Sequence, residues 1–325
     1  MIFILSLLLS LRMKPVPDNY GIVKTAVGET RLQPIPTPQL RDDYILVKTI
    51  AAAISPTDWQ TVDEQSSPTT KGPTLLGCDF VGIVVEIGKD VKKECKKGDR
   101  IEGMIHGGND IELEDGTFAK YILVKGNVAF HILENFSFEE AQSFGVKITT
   151  IVLGFYKYLS LPLLTFPLPM PSSERKLPIL IYGGSPATGT LAVQFAKLSG
   201  LQHDSNYGAE IISLTQNKLH HVFDIIATQS TPQICANACS RFGNNLYLNL
   251  MGIEMPGDDF RNILFLGYLV TGEENEIEGA IWPAVPGIFE LERRAFILLE
   301  RLLENGLVRN HPVNIIHGGL KGILE

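Results

Sequence analysis

From Tyr44 to Ile50 apolar and polar side chains alternate and β-branched residues recur, the pattern of a half-buried strand. Phe80–Ile87, Arg100–Ile105 and Phe118–Val124 repeat it, separated by Gly88, Gly98-Asp99, Gly107-Gly108 and Asp115-Gly116. Short strands at this spacing predict a small antiparallel, barrel-like unit over residues 14 to 145. Near Ser137 the period changes. Ser137 followed by Glu140 is a capping box, so a helix is predicted from Phe138. The apolar run 151–170 is interrupted by Pro162, Pro167 and Pro169 and reads as a buried helix running into a loop, too broken to span a bilayer. A Pro/Ser linker, Pro162–Pro178, leads to a strand at Ile179–Tyr182, a Gly-rich turn and a helix. Leu191, Phe195 and Leu198 lie on one face of that helix, and Gly200 is its stop. Buried strands are predicted at Val222–Ala227 and Asn245–Leu250. An amphipathic helix is predicted from Leu291 to Asn305, with Leu291, Ala295, Leu298, Leu299 and Leu302 inward and Gly306 as cap.

The strand–turn–helix at 179–199 carries the clearest chemistry. A parallel strand ends, glycines allow a tight turn, and a helix N-terminus presents free N–H groups, a geometry that suits a pyrophosphate. Gly184-x-Pro186-x-x-Gly189 is a Rossmann fingerprint with its middle glycine replaced. Pro186 suits the first helical position, where no N–H is needed, and Ser185, Thr188 and Thr190 add hydroxyls. A βα turn without a ligand is the alternative. Asp204 stands where a ribose-binding acid is usual, but no strand precedes it, so it is not taken as one.

Length and composition narrow the class. At 325 residues and 45% hydrophobic the chain is globular, with about two domains. With 28 basic against 36 acidic residues, a net charge of −8 argues against nucleic acid as a partner. Cys78, Cys95, Cys235 and Cys239 form no CxxC pair, which fits a reducing compartment and a cytoplasmic protein. Met1–Leu11 is almost wholly apolar, with no basic residue before it and too few residues to cross a bilayer. Residues 1–12 are read as a disordered extension, with a signal or anchor as the alternative, and no membrane partner is expected.

A β-rich front followed by a Gly-rich βα turn resembles the medium-chain dehydrogenase/reductase superfamily. Ala52–Trp59, Leu76–Gly82, Gly98–Ile101, Tyr182–Ala192, Gly272-Glu273 after an apolar strand, His311–Val313 and Gly318–Gly322 narrow the likeness. In this order they are similar to the trans-acting enoyl reductases of fungal highly reducing polyketide synthases, over about Pro15–Gln202 and Ile211–Glu325. The resemblance implies an α/β fold: a GroES-like β-rich domain (13–150) and a truncated Rossmann doubly wound parallel sheet (151–290), with a return to the first domain over 291–325. It implies a monomer using NADP(H) to reduce the α,β-unsaturated acyl thioester carried by the synthase's acyl carrier protein. A quinone or small-enone oxidoreductase, and a non-catalytic synthase-binding remnant, are the alternatives.

The resemblance also distributes roles. Pro56, Thr57, Asp58 and Trp59 would line the cofactor cleft, and Gln60 stands where the family carries a lysine. Gly184, Ser185, Pro186, Ala187, Thr188 and Gly189 would hold the phosphates, and Leu250 and Met251 would touch the cofactor. Thr150 and Gln60 are the catalytic candidates. Thr150, Ile151, Val152, Leu153, Gly154, Phe155, Tyr156 and Lys157 would border the acyl chain, and Gly267, Tyr268, Leu269, Val270 and Thr271 would wall it. For Thr150 a hydroxyl bonded to its own helix, and for Phe155, Tyr156 and Tyr158 a plain core role, are the alternatives. A catalytic zinc needs about three protein ligands. No Cys or His lies near Pro56–Asp58, Cys78 alone holds no metal, and His220-His221 reads as surface, so no metal is expected. The resemblance also leads one to expect two segments that the family carries, a strand, turn, helix and strand between Gln202 and Ile211 that would contact the adenosine 2′-phosphate, and a final helix and strand beyond Leu324-Glu325.

Overall fold

The computed structural model describes residues 19–126, 128–168, 177–201 and 209–324. The extension 1–12, the middle of the Pro162–Pro178 linker and Asp204 lie outside the described residues.

The front of the chain is antiparallel. Strands β1 (Asn19–Ala26), β2 (Glu29–Ile35) and β4 (Thr74–Leu75) form a small sheet in the order β2-β1-β4. Strands β3 (Tyr44–Ala51), β5 (Asp79–Ile87), β6 (Arg100–Met104), β7 (Tyr121–Lys125) and β8 (Ala129–His131) form a second, ordered β7-β3-β5-β6-β8. Between them lies one apolar core built from Val23, Ile45, Val47, Phe80, Ile101 and Ile122. Helix α1 (Pro56–Asp63) links β3 to β4.

Helices α2 (Phe138–Ala141) and α3 (Phe144–Ile151) leave this barrel. The capping box forms as predicted: Ser137 Oγ accepts from Glu140 N at 3.0 Å, and the Glu140 carboxylate accepts from Ser137 N at 2.9 Å. The helix breaks after one turn, because Ser143 takes a left-handed φ of 79°. Helix α3 then runs into a π-helical turn over Val152–Tyr158.

Four parallel strands follow: β9 (Ile179–Tyr182), β10 (His221–Asp224), β11 (Asn245–Asn249) and β12 (Phe260–Leu264), ordered β12-β11-β10-β9. Alternate side chains leave opposite faces. Ile179, Ile181, Phe223, Leu248 and Ile263 meet α4 (Ala187–Leu198), α3 and α7 (Ile288–Glu304) in the largest core. Leu180, Tyr182, Val222, Tyr247 and Phe260 meet α5 (Ala209–Leu214) and α6 (Thr231–Ala236) on the other side. The sheet is therefore doubly wound, and among the described residues β9 and β12 are its edges.

Several expectations are corrected. The residues before Gly272 form not a strand but a 3-10 helix, Gly267–Thr271; the strand lies earlier, in the more polar β12, whose edge position exposes Arg261 and Asn262. Neither His220 nor His221 is a surface residue: both are half-buried, because His221 opens β10 and His220 bonds Asn245 at 2.9 Å. A hairpin, β13 (Asn275–Ile277) and β14 (Ala280–Trp282), precedes α7. Helix α8 (Leu320–Ile323) brings the chain back to the front barrel, where Leu320 and Ile323 pack near Ile22, Leu76 and Phe118. Among the described residues no helix is long and apolar enough to cross a membrane.

Candidate functional site

The helix that follows β9 packs on one face of the sheet, and α6, which follows β10, packs on the other. A crevice opens where such connections diverge, outside the carboxyl ends of the strands. The Gly-rich turn lies at its rim. Gly183 turns the chain with a φ of 89°. A Cβ on Gly189 would fall 1.8 Å from the Gly183 carbonyl oxygen, so only glycine lets α4 approach β9 this closely. A Cβ on Gly184 would meet only Val193, at 3.7 Å, which leaves room for a ligand against the backbone.

The first bond of the α4 ladder runs from Thr190 N–H to Pro186 O, 2.9 Å. The N–H groups of Ala187, Thr188 and Gly189 precede that ladder, and no side chain caps them. These donors at a helix start fit a diphosphate. Pro186 itself is the N-cap rather than the first helical residue, because its ψ of 168° is extended. Ser185 and Pro186 are exposed and Thr188 is half-buried, but Thr190 Oγ1 donates to Ala187 O at 2.9 Å and is turned into its own helix.

Across the crevice stands α1. Trp59 is 58% exposed there. Gln60 Nε2 lies 3.7 Å from Met251 Sδ, so the two predicted segments meet across the mouth. Met251 is presented by the turn after β11, where Asn249 Oδ1 accepts from Met251 N and Ile253 N at 3.0 and 3.1 Å. Leu250 is half-buried against the large core. Pro56 is exposed and Thr57 half-buried. Asp58, by contrast, points away from the cleft. Its carboxylate accepts from Ser55 N at 2.6 Å beside Cys78, and burial raises its pKa to about 7.

Helix α3 packs against α4 in the large core. Thr150 is 7% exposed, and its Oγ1 donates to Val146 O at 2.7 Å, one turn back. The hydroxyl proton is therefore held by the helix, while its lone pairs remain available. Thr149 Oγ1 donates to Glu292 on α7. Ile151, Val152, Leu153 and Phe155 are buried in the core, and a Cβ on Gly154 would meet the Phe223 ring at 2.9 Å. Of the segment expected to border an acyl chain, Lys157 is exposed and Tyr156 is nearly buried. In the 3-10 helix, Tyr268 stacks on His106 with centroids 3.7 Å apart, and its OH lies 3.5 Å from Cys78 Sγ. Leu269 and Val270 are buried, Thr271 Oγ1 bonds Tyr268 O at 3.0 Å, and Gly267 lies beside Thr149. Burial lowers the His106 imidazole to about 3, so it is neutral, with Nδ1 2.8 Å from Asn275 Oδ1.

Three buried acids were not anticipated from the sequence. Asp79 Oδ1 accepts from Val146 N at 2.7 Å, and Glu102 accepts from the N–H groups of Phe144 and Gly145. Glu292 is fully buried in α7. The signal was present for Asp79, which interrupts an otherwise apolar stretch, and for Glu292 only at helical spacing, between Ile288, Ala295 and Leu299. Cys78 is buried and free. Among the described residues no three or more His, Cys, Asp or Glu side chains converge as a metal site requires.

Residues 41–134 match the alcohol dehydrogenase GroES-like domain family. The trans-enoyl reductase resD of Aspergillus sclerotiorum is 36% identical over 94% of this chain and 94% of its own length. The trans-enoyl reductase TOXD of Cochliobolus carbonum is 40% identical over 77% of this chain and 89% of its own. Among solved structures, a mutant of Etr1p in complex with NADP and crotonyl-CoA superposes with a TM-score of 0.62 at 15% identity, covering 94% of both chains; at that identity the likeness is one of fold. With a GroES-like barrel, a doubly wound parallel sheet and full-length relatives of this closeness, the chain belongs to the fungal trans-enoyl reductase family of the medium-chain dehydrogenase/reductase superfamily.

Proposed function

We propose that this protein is a trans-acting enoyl reductase that uses NADPH to reduce the α,β-unsaturated acyl thioester held on the acyl carrier protein of a polyketide synthase. The observation that carries the reading is the uncapped start of α4 at the rim of a crevice whose opposite wall, Trp59 and Gln60, meets Met251. The N–H groups of Ala187, Thr188 and Gly189 would bind the diphosphate, and Gly184 gives it room. Bound there, the cofactor supplies a hydride to the β-carbon of the enoyl group. Trp59, Gln60 and Met251 would flank the ring and keep water from it. Thr150 presents lone pairs, so it accepts a hydrogen bond. That suits the amide N–H of the nicotinamide better than a developing enolate oxygen, which needs a donor. Among the described residues no side chain stands out as a strong acid, and the α-carbon proton would come from water at the mouth.

A second reading, a synthase-binding protein without catalysis, is favoured by one observation: β9 is an edge among the described residues, and strands beyond it would carry the adenosine end. NADPH fluorescence titration separates the two. Saturable binding followed by oxidation on adding the crotonyl thioester of N-acetylcysteamine supports the reductase; absence of binding leaves the second reading. We place the protein in the cytoplasm, supported by its four free cysteines.

A further inference from the structure

Asp79 is 2% exposed and sits at the start of β5, directly under the two helices of the proposed site. Its two carboxylate oxygens serve different helices. Oδ1 accepts from Val146 N in the first turn of α3, at 2.7 Å. Oδ2 accepts from Ser55 Oγ, the residue that precedes α1, at 3.3 Å. Each contact leads onward to a site residue. The carbonyl of Val146 is the group that holds the Thr150 hydroxyl, at 2.7 Å. The backbone N–H of Ser55 is held by Asp58, at 2.6 Å, one residue before Trp59 and two before Gln60. There is no slack in this arrangement: a Cβ on Gly145 would lie 2.8 Å from Asp79 Oδ1.

We propose that Asp79, through Ser55, is a positioning residue that sets the spacing between the α1 residues Trp59 and Gln60 and Thr150 on α3. The inference rests on the proposed reductase reading, in which those two walls flank the reacting ring. A carboxylate suits the task because it accepts two hydrogen bonds in fixed directions, each stronger than a bond between neutral groups. An amide would offer one acceptor and one donor. An apolar residue would leave the α3 N–H and the Ser55 hydroxyl without partners in a buried place. Hydride transfer is sensitive to such spacing, because displacements of a fraction of an ångström reduce the population of reactive geometries.

The test uses Ser55, since removing Asp79 itself would strip a cap from α3 and endanger folding. Ser55→Ala deletes the bridge together with the Ser55 side chain's part in the α1 capping box, a modest loss of helix stability, and leaves Asp79 in place on α3. Turnover of the crotonyl N-acetylcysteamine thioester at saturating NADPH is expected to fall about tenfold. The NADPH Kd should change less than about threefold, since the diphosphate end is untouched. Ser55→Thr, which keeps the hydroxyl, should restore turnover. An unchanged kcat in Ser55→Ala overturns the proposal. So does a fall in kcat matched by equal losses in NADPH affinity and thermal midpoint, or a Ser55→Thr protein no better than Ser55→Ala. A wild-type protein that neither binds NADPH nor turns over the thioester sinks the reductase reading, and this inference with it.

Discussion

Glu292 is a carboxyl group placed where a helix of this pattern should carry an aliphatic side chain. Ile288, Ala295 and Leu299 flank it on the inward face of α7. Its Oε1 accepts from Thr149, and its Oε2 has no hydrogen-bond partner among the described residues. Among the described residues no charged group stands beside it to favour ionisation. Burial therefore raises its pKa from an ordinary 4.5 to about 8, offset only in part by the Thr149 hydroxyl. In the unfolded chain the same group loses its proton near the ordinary value. Between these two pH values the folded protein keeps a proton that the unfolded chain has released. The unfolded state binds fewer protons, so stability falls as pH rises through this window and levels off above it. At about 1.36 kcal/mol per pH unit, the full effect is about 5 kcal/mol, a large share of the stability of an ordinary domain. Glu292→Gln keeps the shape and the acceptor for Thr149 but cannot ionise. Urea unfolding of both proteins at pH 5 and pH 8 isolates the effect, because the other buried acids are common to both and cancel. The variant should gain several kcal/mol on the wild type between the two pH values. Parallel stability curves would mean that water reaches Glu292 or that it has a partner, and the reasoning would be wrong.

Three other outcomes are expected. Gly189→Ala places a Cβ into the Gly183 carbonyl, a backbone atom that cannot yield, and should cost roughly 3 kcal/mol in urea unfolding together with NADPH binding. Thr150→Val removes a hydroxyl that the proposed reading places at the nicotinamide; if it accepts from the nicotinamide amide, the NADPH Kd rises about tenfold with a smaller fall in kcat, as one lost hydrogen bond allows. A hundredfold loss of kcat at unchanged Kd would instead make it an oxyanion donor. Lys24 Nζ donates to Thr61 O and Glu64 O, both at 2.7 Å, closing the end of α1; Lys24→Met strands those carbonyls and should lower stability by about 2 kcal/mol, read by thermal or urea unfolding.

Where local pattern and tertiary placement agree, the chain is readable from its residues. β3, β5 and β6 lie where β-branched and apolar residues predict strands, with one face on the barrel core and much of the other buried as well. The turn before α4 is legible because Gly183 and Gly189 answer two backbone demands, a positive φ and a close approach. β12 was not legible. As an edge strand it exposes Arg261, Asn262 and Leu264, so the more apolar residues after it looked like the better strand, yet they close into a 3-10 helix against His106 and Cys78. The family resemblance puts Asp58 in the cleft with Trp59, but a capping side chain turns back toward its own N-cap, and here it is buried. The buried acids escaped because charge normally marks the surface. Only their partners, the N–H groups at the start of α3 and the Thr149 hydroxyl, explain them.

Those partners also determine how the cleft can move. At its back, α3 emerges from the barrel and leads into the core beneath the sheet, capped by Asp79 and Glu102. At its side, the segment after the 3-10 helix is fastened to the barrel by Glu273 on Tyr44 and Lys125, at 2.9 and 2.6 Å, by Asn275 on His106, and by Glu276 on Ser67. At the mouth the contact described is Gln60 against Met251, at 3.7 Å, a thioether accepting weakly from an amide. On the proposed reading, an opening that admits a dinucleotide would part the weakest of these sets, at the mouth, with the strongly bonded back as its pivot. Asp79, the proposed positioning residue, lies at that back, where it joins α3 to the residue before α1.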